Sequence, residues 1–160
     1  MAGPHALEIR RAETADARII SDLVIRTLRE TNSRHYSLDL LEGVIANFSS
    51  DKVALRMADR IVLVAADEGD LVGTASLHEN WVRSVFVRPD RQGQGIGARL
   101  IESVLAIAVE QRLGQVTVPS SINAEAFYGK LGFVHLRDEF QGAERVILMT
   151  KTLPSQTEQG

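Results

Sequence analysis

The sequence predicts an α/β (α+β) domain with a mixed, mostly antiparallel central sheet and helices packed on its faces. Apolar residues recur at helical spacing near the N-terminus, and strand-like runs joined by short turns follow from residue 61. A strand–loop–helix–strand unit spans 81–118, and such a unit forms a right-handed crossover between parallel strands. A length of 160 residues fits one domain. We expect residues 1–153 to form it and the polar segment 154–160 to be a disordered tail.

The N-terminal part is predicted to contain one strand and two helices. Residues 6–12 alternate as a short strand. Thr14 is the expected cap of the first helix, and Ser37 is the expected cap of the second. The apolar side of the first helix is predicted to consist of Ile20, Leu23, Val24 and Leu28. The apolar side of the second is predicted to consist of Leu41, Val44, Ile45 and Phe48.

The remaining elements follow from turn and strand signals. Strands are expected at 61–67, 71–78, 81–87, 115–118, near 133–137 and at 145–152, with a hairpin turn at 68–70. Pro119 is expected to close the strand at 115–118, and Gly114 is placed to end the preceding helix. That helix should face inward through Leu100, Val104, Ala108 and either Ile101 or Leu105. A short helix is predicted in NAEAFYGKLG.

The composition argues against several classes of protein. The chain has no cysteine, so it has no disulfide framework, thiol nucleophile or zinc-finger pattern. Its first residues lack the apolar core of a signal peptide, and its apolar runs are too short to span a bilayer. We therefore expect a cytoplasmic protein that does not engage a membrane. The net charge of −3 argues against a nucleic-acid partner and would tolerate a cationic or neutral small substrate. The four histidines lack metal-ligand spacing, so no metal is expected.

The segment RPDRQGQGIGARL, residues 88–100, places three glycines at alternate positions between a predicted strand and a predicted helix. The first turn of a helix leaves N–H groups without partners, and the helix dipole adds partial positive charge there. Glycine lets a phosphate approach such amides directly. Three arginines add positive charge nearby: Arg88, Arg91 and Arg99. The segment therefore indicates a phosphate-binding loop rather than a flexible turn.

Two common phosphate loops do not fit this context. Gly93, Gly95 and Ala98 match the spacing of the dinucleotide fingerprint G-x-G-x-x-A. That fingerprint expects the glycines directly after the strand and an acidic residue at the end of the next strand. Here RPDRQ intervenes, and the next strand ends in Val118 and Pro119. A Walker-type loop is excluded because no Lys-Ser or Lys-Thr pair follows the glycines.

The segment VFVRPDRQGQGIGARL resembles the acetyl-CoA motif of the GNAT superfamily of N-acetyltransferases, V-x-V-x-P-x-x-[RQ]-x-x-G-x-G-x-x-L. The matching residues are Val85, Val87, Pro89, Gln92, Gly95, Gly97 and Leu100. NAEAFYGKLGF resembles the family's second signature, F/L-Y-x-K-x-G-F, and the resemblance spans about 6–152. It implies that acetyl-CoA lies between two parallel strands that splay apart, here 82–87 and 115–118, with helices on both faces of the sheet.

The resemblance also implies which residues bind acetyl-CoA. Main-chain groups of three strand residues would pair with the pantetheine arm: Val85, Phe86 and Val87. The loop and helix start would contact the pyrophosphate: Gln92, Gly93, Gln94, Gly95, Ile96, Gly97 and Ala98. Phe127 and Lys130 belong to the second signature. Many members carry asparagine seven residues before the tyrosine, where this chain has Ser121. The nearest asparagine is Asn123, and a subgroup with S-x-N-A-x-x-F-Y looks similar, so both residues remain candidates for the pantetheine contact.

The implied catalytic groups are an N–H near Val87, a phenol and a base. The N–H would stabilise the oxyanion, a contribution of order 3 kcal/mol for such a donor. Tyr128 would share its proton with the leaving thiolate, since a phenol has a pKa of about 10 and a thiol about 8.5. Tyr128 could instead simply pack beside Phe133. Glu79 is the candidate base for the ammonium, and His78 is the other; strand alternation allows only one of them to line the cleft.

We predict transfer of an acetyl group from acetyl-CoA to a primary amine of a small molecule or peptide, by direct attack in a ternary complex. A polyamine, an amino-acid-like metabolite, an aminosugar and a protein N-terminus all remain open as acceptors. The loop 33–37 occupies the place that usually borders the acceptor in this family, whereas Trp81 is more typical of cross-strand packing. A non-catalytic acyl-CoA-binding regulatory module is the alternative, and a nicotinamide-dependent reductase is a third hypothesis. Family members often dimerise, so a homodimer remains open.

Overall fold

In a computed structural model of the chain, residues 7–32, 37–141 and 144–154 are described. Their α-helices are α1 (Ala17–Thr27), α2 (Leu38–Ala46), α3 (Ser50–Arg56), α4 (Ile96–Glu110) and α5 (Glu125–Lys130). Their strands are β1 (Leu7–Arg11), β2 (Ile61–Asp67), β3 (Asp70–His78), β4 (Trp81–Val87), β5 (Gln115–Ser120), β6 (Val134–Gln141) and β7 (Glu144–Thr152).

The strands form one sheet of seven in the order β1-β2-β3-β4-β5-β7-β6. Strands β4 and β5 are parallel, with Trp81 opposite Thr117, and the Thr117 N–H donates to the Asn80 carbonyl at 2.9 Å. The β1–β2, β5–β7 and β6–β7 pairs are antiparallel. The predicted α/β class, with a mixed and mostly antiparallel sheet, is therefore confirmed.

The chain divides into two compact units. Unit 1 comprises Met1–Ser76 and Ser84–Ile101, and unit 2 comprises Leu77–Arg83 and Glu102–Gly160. In unit 1, helices α1 to α3 bury their apolar sides against β2 and the start of β3. In unit 2, buried side chains of β5, α5 and β7 include Val116, Val118, Tyr128, Ile147 and Leu148. The predicted tail lies largely outside the described residues.

Helix α1 has the predicted apolar side but not the predicted cap. Its four stripe residues are buried: Ile20, Leu23, Val24 and Leu28. Residues Thr14–Asp16 form a 3-10 turn, so Thr14 lies inside the turn and the prediction that it caps the helix was wrong. The carboxylate of Asp16 accepts the Glu13 N–H at 2.7 Å and a guanidinium N–H of Arg10 at 2.8 Å. The bond from Arg10 lowers the pKa of Asp16, so this contact stays ionic at neutral pH.

Helix α2 is capped as predicted, whereas α3 was not predicted. The Ser37 hydroxyl accepts the Leu40 N–H at 3.2 Å. Helix α3 begins after Ser49, whose hydroxyl accepts the Lys52 N–H at 3.4 Å. Helix α3 has seven residues and only Val53 is fully buried, so the sequence shows no repeated apolar stripe there.

The end of α4 depends on an arginine rather than on the predicted Gly114. Arg112 has a φ of 60°, its N–H donates to Val109, and the Leu113 N–H donates to Ala108. These two bonds form a Schellman motif, which satisfies the last carbonyls of the helix. The prediction that Gly114 ends the helix was therefore wrong. Along the helix, Ile101 is fully buried and Leu105 is not, which decides between the two inward candidates.

Strand β5 continues through Pro119 to Ser120, so the prediction that proline closes the strand was wrong. Pro119 lies opposite Leu148 of β7. The Thr117 N–H points to Asn80, and alternate residues of a strand direct their main-chain groups to the same side. Pro119 therefore lacks only a donor that would point away from β7, and the β5–β7 ladder keeps its hydrogen bonds.

Replacing Gly73 with alanine is expected to destabilise the fold by about 1–3 kcal/mol. A Cβ at Gly73 would lie 2.9 Å from the Leu100 side chain and 3.2 Å from the Phe86 carbonyl oxygen. The backbone oxygen cannot move without disturbing β4, so the start of α4 would have to shift. Urea unfolding measures this change.

Gly43→Ala is the matched control. Gly43 lies inside α2, and a Cβ there would meet nothing within 4 Å. Alanine is therefore expected to stabilise the helix by about 0.5–1 kcal/mol. Equal effects of the two substitutions would contradict the close packing of α4 on β3.

Candidate functional site

The glycine-rich loop leads directly into the first turn of α4. The Arg99 N–H donates to the Gly95 carbonyl at 3.1 Å, so the hydrogen-bonded helix begins at that residue. The N–H groups of the next three residues, Ile96 to Ala98, consequently have no acceptor inside the helix. Residues 92–95 are exposed to solvent. The loop thus presents a row of main-chain donors at the positive end of a 15-residue helix.

Two of the loop glycines are required by backbone conformation. Gly93 has a φ of 78° and Gly95 a φ of 81°, in the left-handed region that other L-residues rarely adopt. A Cβ at either position would meet nothing within 4 Å. The space beside the amides is therefore open, which fits the phosphate group that the sequence predicts there.

Two of the three arginines around this loop have acidic partners. Arg88 forms two hydrogen bonds to Asp90, and Arg91 donates to Asp67 at 2.7 Å. Arg91 also donates to Gln94 at 2.9 Å, which ties the loop to the end of β2. The third guanidinium, on Arg99, donates to the neutral Leu7 carbonyl at 3.2 Å. Positive charge for an anion at the loop therefore comes mainly from the helix terminus and Arg99.

Strand β4 presents part of its main chain away from β3. The N–H of Arg88 donates to Val72 of β3 at 2.8 Å, so Val87 directs its groups to the opposite side. The Val87 carbonyl accepts the side-chain amide of Gln92 at 3.0 Å. By the same alternation Val85 faces away from β3, whereas the main chain of Phe86 faces it. The structure thus distinguishes three residues that the sequence grouped together.

The middle of β4 contains an irregularity that the sequence did not indicate. Ser84 has a φ of 53°, which interrupts the pleat one residue before Val85. The ring of Phe86 packs edge-on against Phe48 with centroids 5.5 Å apart. The side chain of Phe86 therefore supports the apolar cluster of unit 1.

The phenol of Tyr128 lies in the interior of unit 2. Its ring packs edge-on against Phe127 at 5.0 Å and Phe133 at 5.6 Å, so the predicted packing contact is present. Tyr128 is 6% exposed, and burial raises its pKa above the ordinary value of a phenol. The hydroxyl is consequently protonated throughout the neutral pH range.

Four predicted cofactor contacts flank Tyr128. Lys130 is exposed, and Phe127 is partly buried. Ser121 and Asn123 are both exposed, and Asn123 lies in the 3-10 turn Ile122–Ala124. The Ser121 carbonyl accepts the Ser120 hydroxyl at 2.7 Å and the Ala124 N–H at 3.1 Å. Both residues therefore lie at the surface of unit 2, on the N-terminal side of α5.

The two candidate bases lie at the turn between β3 and β4. Glu79 has a φ of 55° and a side chain that is 77% exposed. Its carboxylate lies 4.0 Å from Nε2 of His78. Trp81 stacks under the guanidinium of Arg83, 4.7 Å from the ring centroid, which agrees with a packing role. Arg34, His35 and Tyr36, which the sequence placed near the acceptor, lie outside the described residues.

A small pocket in unit 1 was missed by sequence reasoning. Its lining residues are Ile20, Val24, Phe48, Val53, Arg56, Arg60, Val62, Thr74, Ser76 and Ser84. Arg56 is the last residue of α3 and Arg60 lies just after it. The sequence of α3 has no strong apolar pattern that would have predicted the helix. The signal that could have found them is the segment LRMADR, residues 55–60, in which two arginines lie four residues apart.

Within the described ranges, no three or more His, Asp or Glu side chains are arranged to hold a metal ion. Among the described helices, none combines the length and apolarity needed to cross a membrane.

Residues 32–153 match the model of a protein family described as an acetyltransferase (GNAT) domain. The chain is 25% identical over 133 residues to the uncharacterized N-acetyltransferase YafP of Escherichia coli, covering 83% of this chain and 85% of YafP.

Two solved structures establish the fold independently. A GCN5-related N-acetyltransferase from Rhodopseudomonas palustris has a TM-score of 0.85 at 24% identity, over 96% of this chain and all of the other. PaiA N-acetyltransferase from Thermoplasma acidophilum, in complex with coenzyme A, has a TM-score of 0.77 at 20% identity, over 92% and 99%.

Proposed function

The chain belongs to the GNAT family of acetyltransferases, and from that premise we propose that it acetylates a primary amine by direct attack in a ternary complex. It is an acyltransferase whose co-substrate is acetyl-CoA, which supplies an activated acetyl group as a thioester. Coenzyme A is bound by the structurally similar PaiA enzyme. We further propose that residues 1–153 act as one functional domain.

The observation that carries this proposal is the open row of amides at the start of α4. The pyrophosphate would be held by main-chain groups from Gly93 to Ala98, where the glycines leave space for a phosphate. The Gln92 side chain closes the turn onto Val87, and Gln92 stays a proposed cofactor contact. Gln94 is fixed by Arg91, so both glutamines shape the loop from which the amides point.

The pantetheine arm would add alongside β4 in the manner of an extra strand. The main-chain groups of Val85 and Val87 point away from β3. They are therefore better candidates for pairing with the pantetheine arm than the main-chain groups of Phe86. Four further contacts are proposed from the resemblance to the second family signature and the segment before it: Phe127, Lys130, Ser121 and Asn123.

We propose that a main-chain N–H near Val87 stabilises the negative charge that develops on the thioester oxygen. The amine nitrogen forms the new bond to the acetyl carbon while the carbon–sulfur bond breaks. Tyr128 donates its proton to the departing sulfur, and the proton that the attacking nitrogen loses passes through water to restore the Tyr128 hydroxyl. The support for this role is the match of Tyr128 to the second family signature; its hydroxyl is protonated at neutral pH, although burial raises its pKa and so makes it a weaker acid.

Calorimetry and a thiol-release assay test the proposed function together. The full chain should release heat on binding coenzyme A and produce free thiol from acetyl-CoA only when an amine is present. Binding without turnover on any amine would support a regulatory acyl-CoA-binding module instead. Absence of any coenzyme A binding would overturn the assignment of the loop, and protection from heat by NADH would favour a reductase.

Glu79 is proposed as the base, acting through a water molecule because its carboxylate reaches bulk solvent. Glu79→Gln is expected to lower kcat/KM at least about 10-fold near pH 7, with a smaller loss at higher pH where the amine deprotonates unaided. A pH–rate profile measures this difference. His78→Gln is the neighbouring control, and a loss confined to that variant would transfer the role to His78.

A further inference from the structure

The pocket of unit 1 combines an apolar wall with a cationic end. The wall comes from α1, α3 and β2 through Ile20, Val24, Val53 and Val62. Thr74, Ser76 and Ser84 line the strand side, and the Thr74 hydroxyl donates to the Leu63 carbonyl at 2.8 Å. Arg56 and Arg60 supply positive charge, and none of the described residues lining the pocket is acidic. The pocket is therefore chemically suited to an anionic group on a small organic molecule.

The guanidinium of Arg56 is held against an aromatic ring, and one of its nitrogens can still donate a hydrogen bond. Its carbon lies 4.9 Å from the ring centroid of Phe48, a cation–π contact that orients the group. Its Nη1 is buried and has no hydrogen-bond partner among the described residues. Desolvation lowers the pKa of Arg56, partly offset by the exposed Asp59.

A buried guanidinium nitrogen without a partner is costly to a protein, and such groups are normally hydrogen-bonded. A ligand carboxylate would satisfy it, because guanidinium and carboxylate pair with two parallel hydrogen bonds. A cationic ligand would instead add to the unfavourable charge of Arg56 and Arg60.

The pocket also lies next to the strand proposed to bind the cofactor. Ser84 lines it and directly precedes Val85 in β4. Phe48, another lining residue, packs against Phe86 of the same strand. A molecule anchored at Arg56 would therefore extend toward β4.

We infer that the acceptor is an amine that also carries a carboxylate, an amino acid or a close relative, with that carboxylate bound by Arg56 in the unit 1 pocket. This inference rests on the proposed acetyl transfer and names its substrate class. It disfavours polyamines, which carry no anionic group. A zwitterionic amino acid has no net charge, so it also falls within the cationic or neutral substrates that the net charge of the chain would tolerate.

Thiol release from acetyl-CoA provides the test, with the twenty proteinogenic amino acids, their carboxamides and spermidine as acceptors. The carboxamide keeps the amine and side chain of each amino acid and removes only the negative charge. We expect kcat/KM for the preferred amino acid to exceed that for its carboxamide by about 10- to 100-fold. Spermidine should react more slowly than either.

Arg56→Gln should reduce this preference to within about threefold, mainly through a higher KM for the acid and with kcat little changed. Arg18→Gln removes a positive charge from the exposed side of α1 and should retain the wild-type preference. Arg56→Lys keeps the charge without the planar pair of donors. Its preference for the acid over the carboxamide should therefore fall between that of the wild type and that of Arg56→Gln. Circular dichroism verifies folding, and if Arg56→Gln does not fold, the wild-type preference alone decides.

The outcomes separate this inference from the function on which it rests. Coenzyme A binding together with turnover of carboxamides or spermidine in preference to the acids would overturn the carboxylate assignment and leave the transferase intact. Coenzyme A binding with no turnover of any amino acid would also overturn it. A chain that binds no coenzyme A would instead remove the proposed function.

Discussion

Replacing Gly95 by valine is expected to weaken coenzyme A binding more than about 100-fold, because two or more charge-assisted phosphate contacts would be lost. Gly95 has a φ of 81°, a conformation in which a β-branched residue is strained by about 1–3 kcal/mol. To relieve that strain, the loop would change conformation at the residue where α4 begins. The side chain would also enter the open space beside the amides. Isothermal titration with coenzyme A measures the loss.

Gly69→Val controls for backbone strain. Gly69 has a φ of 91° in the exposed β2–β3 turn, and a Cβ there would likewise meet nothing within 4 Å. Both variants should therefore lose similar unfolding free energy, but Gly69→Val should retain wild-type affinity for coenzyme A. Equal affinity of the Gly95 variant and the wild type would refute the phosphate-binding role of the loop.

Replacing Tyr128 by phenylalanine is expected to lower kcat by about 100-fold or more, the range in which a positioned acid contributes. The ring contacts with Phe127 and Phe133 should survive, because only the hydroxyl is removed. Coenzyme A affinity should consequently stay within about threefold of the wild-type value. Steady-state kinetics and calorimetry on the same preparation separate the two effects.

The pH dependence of stability provides a second test of the Tyr128 environment. Burial raises the pKa of Tyr128 in the folded state above its unfolded value of about 10. The stabilisation from the neutral phenol is complete below that pH and is lost as the pH rises toward the folded value. Above about pH 10, denaturant unfolding should therefore show the wild type losing stability more steeply than Tyr128→Phe.

Two outcomes would contradict the role and the environment assigned to Tyr128. Full activity of Tyr128→Phe would remove the acid assignment. Parallel alkaline profiles of Tyr128→Phe and the wild type would show that the phenol is not buried in solution.

The features that the sequence predicted correctly are those that local physics requires. The apolar side of α1 follows from helical periodicity, and Ser37 caps α2 because a hydroxyl next to a free N–H is a local contact. The sequence also indicated the class of sheet, since its turns and its crossover are short-range patterns.

The features that the sequence did not predict depend on residues distant in the chain. Pro119 is tolerated because its missing donor points away from β7, which only the pairing of three strands reveals. Arg91 was expected to add positive charge near the phosphate loop. It instead forms an ion pair with Asp67, which lies 24 residues earlier in the chain. Helix α4 is ended by a turn at Arg112 rather than at Gly114, because the N–H groups of Arg112 and Leu113 donate to the last carbonyls of the helix.

The sequence alone determined the family and the fold class of this protein and predicted an anion-binding loop, because each depends on the spacing of residues along the chain. The tertiary structure alone decided which arginine is desolvated against Phe48 and which main-chain groups of β4 face away from β3. Both depend on burial and on strand pairing, and these quantities exist only after helices and strands separated in the chain have packed together.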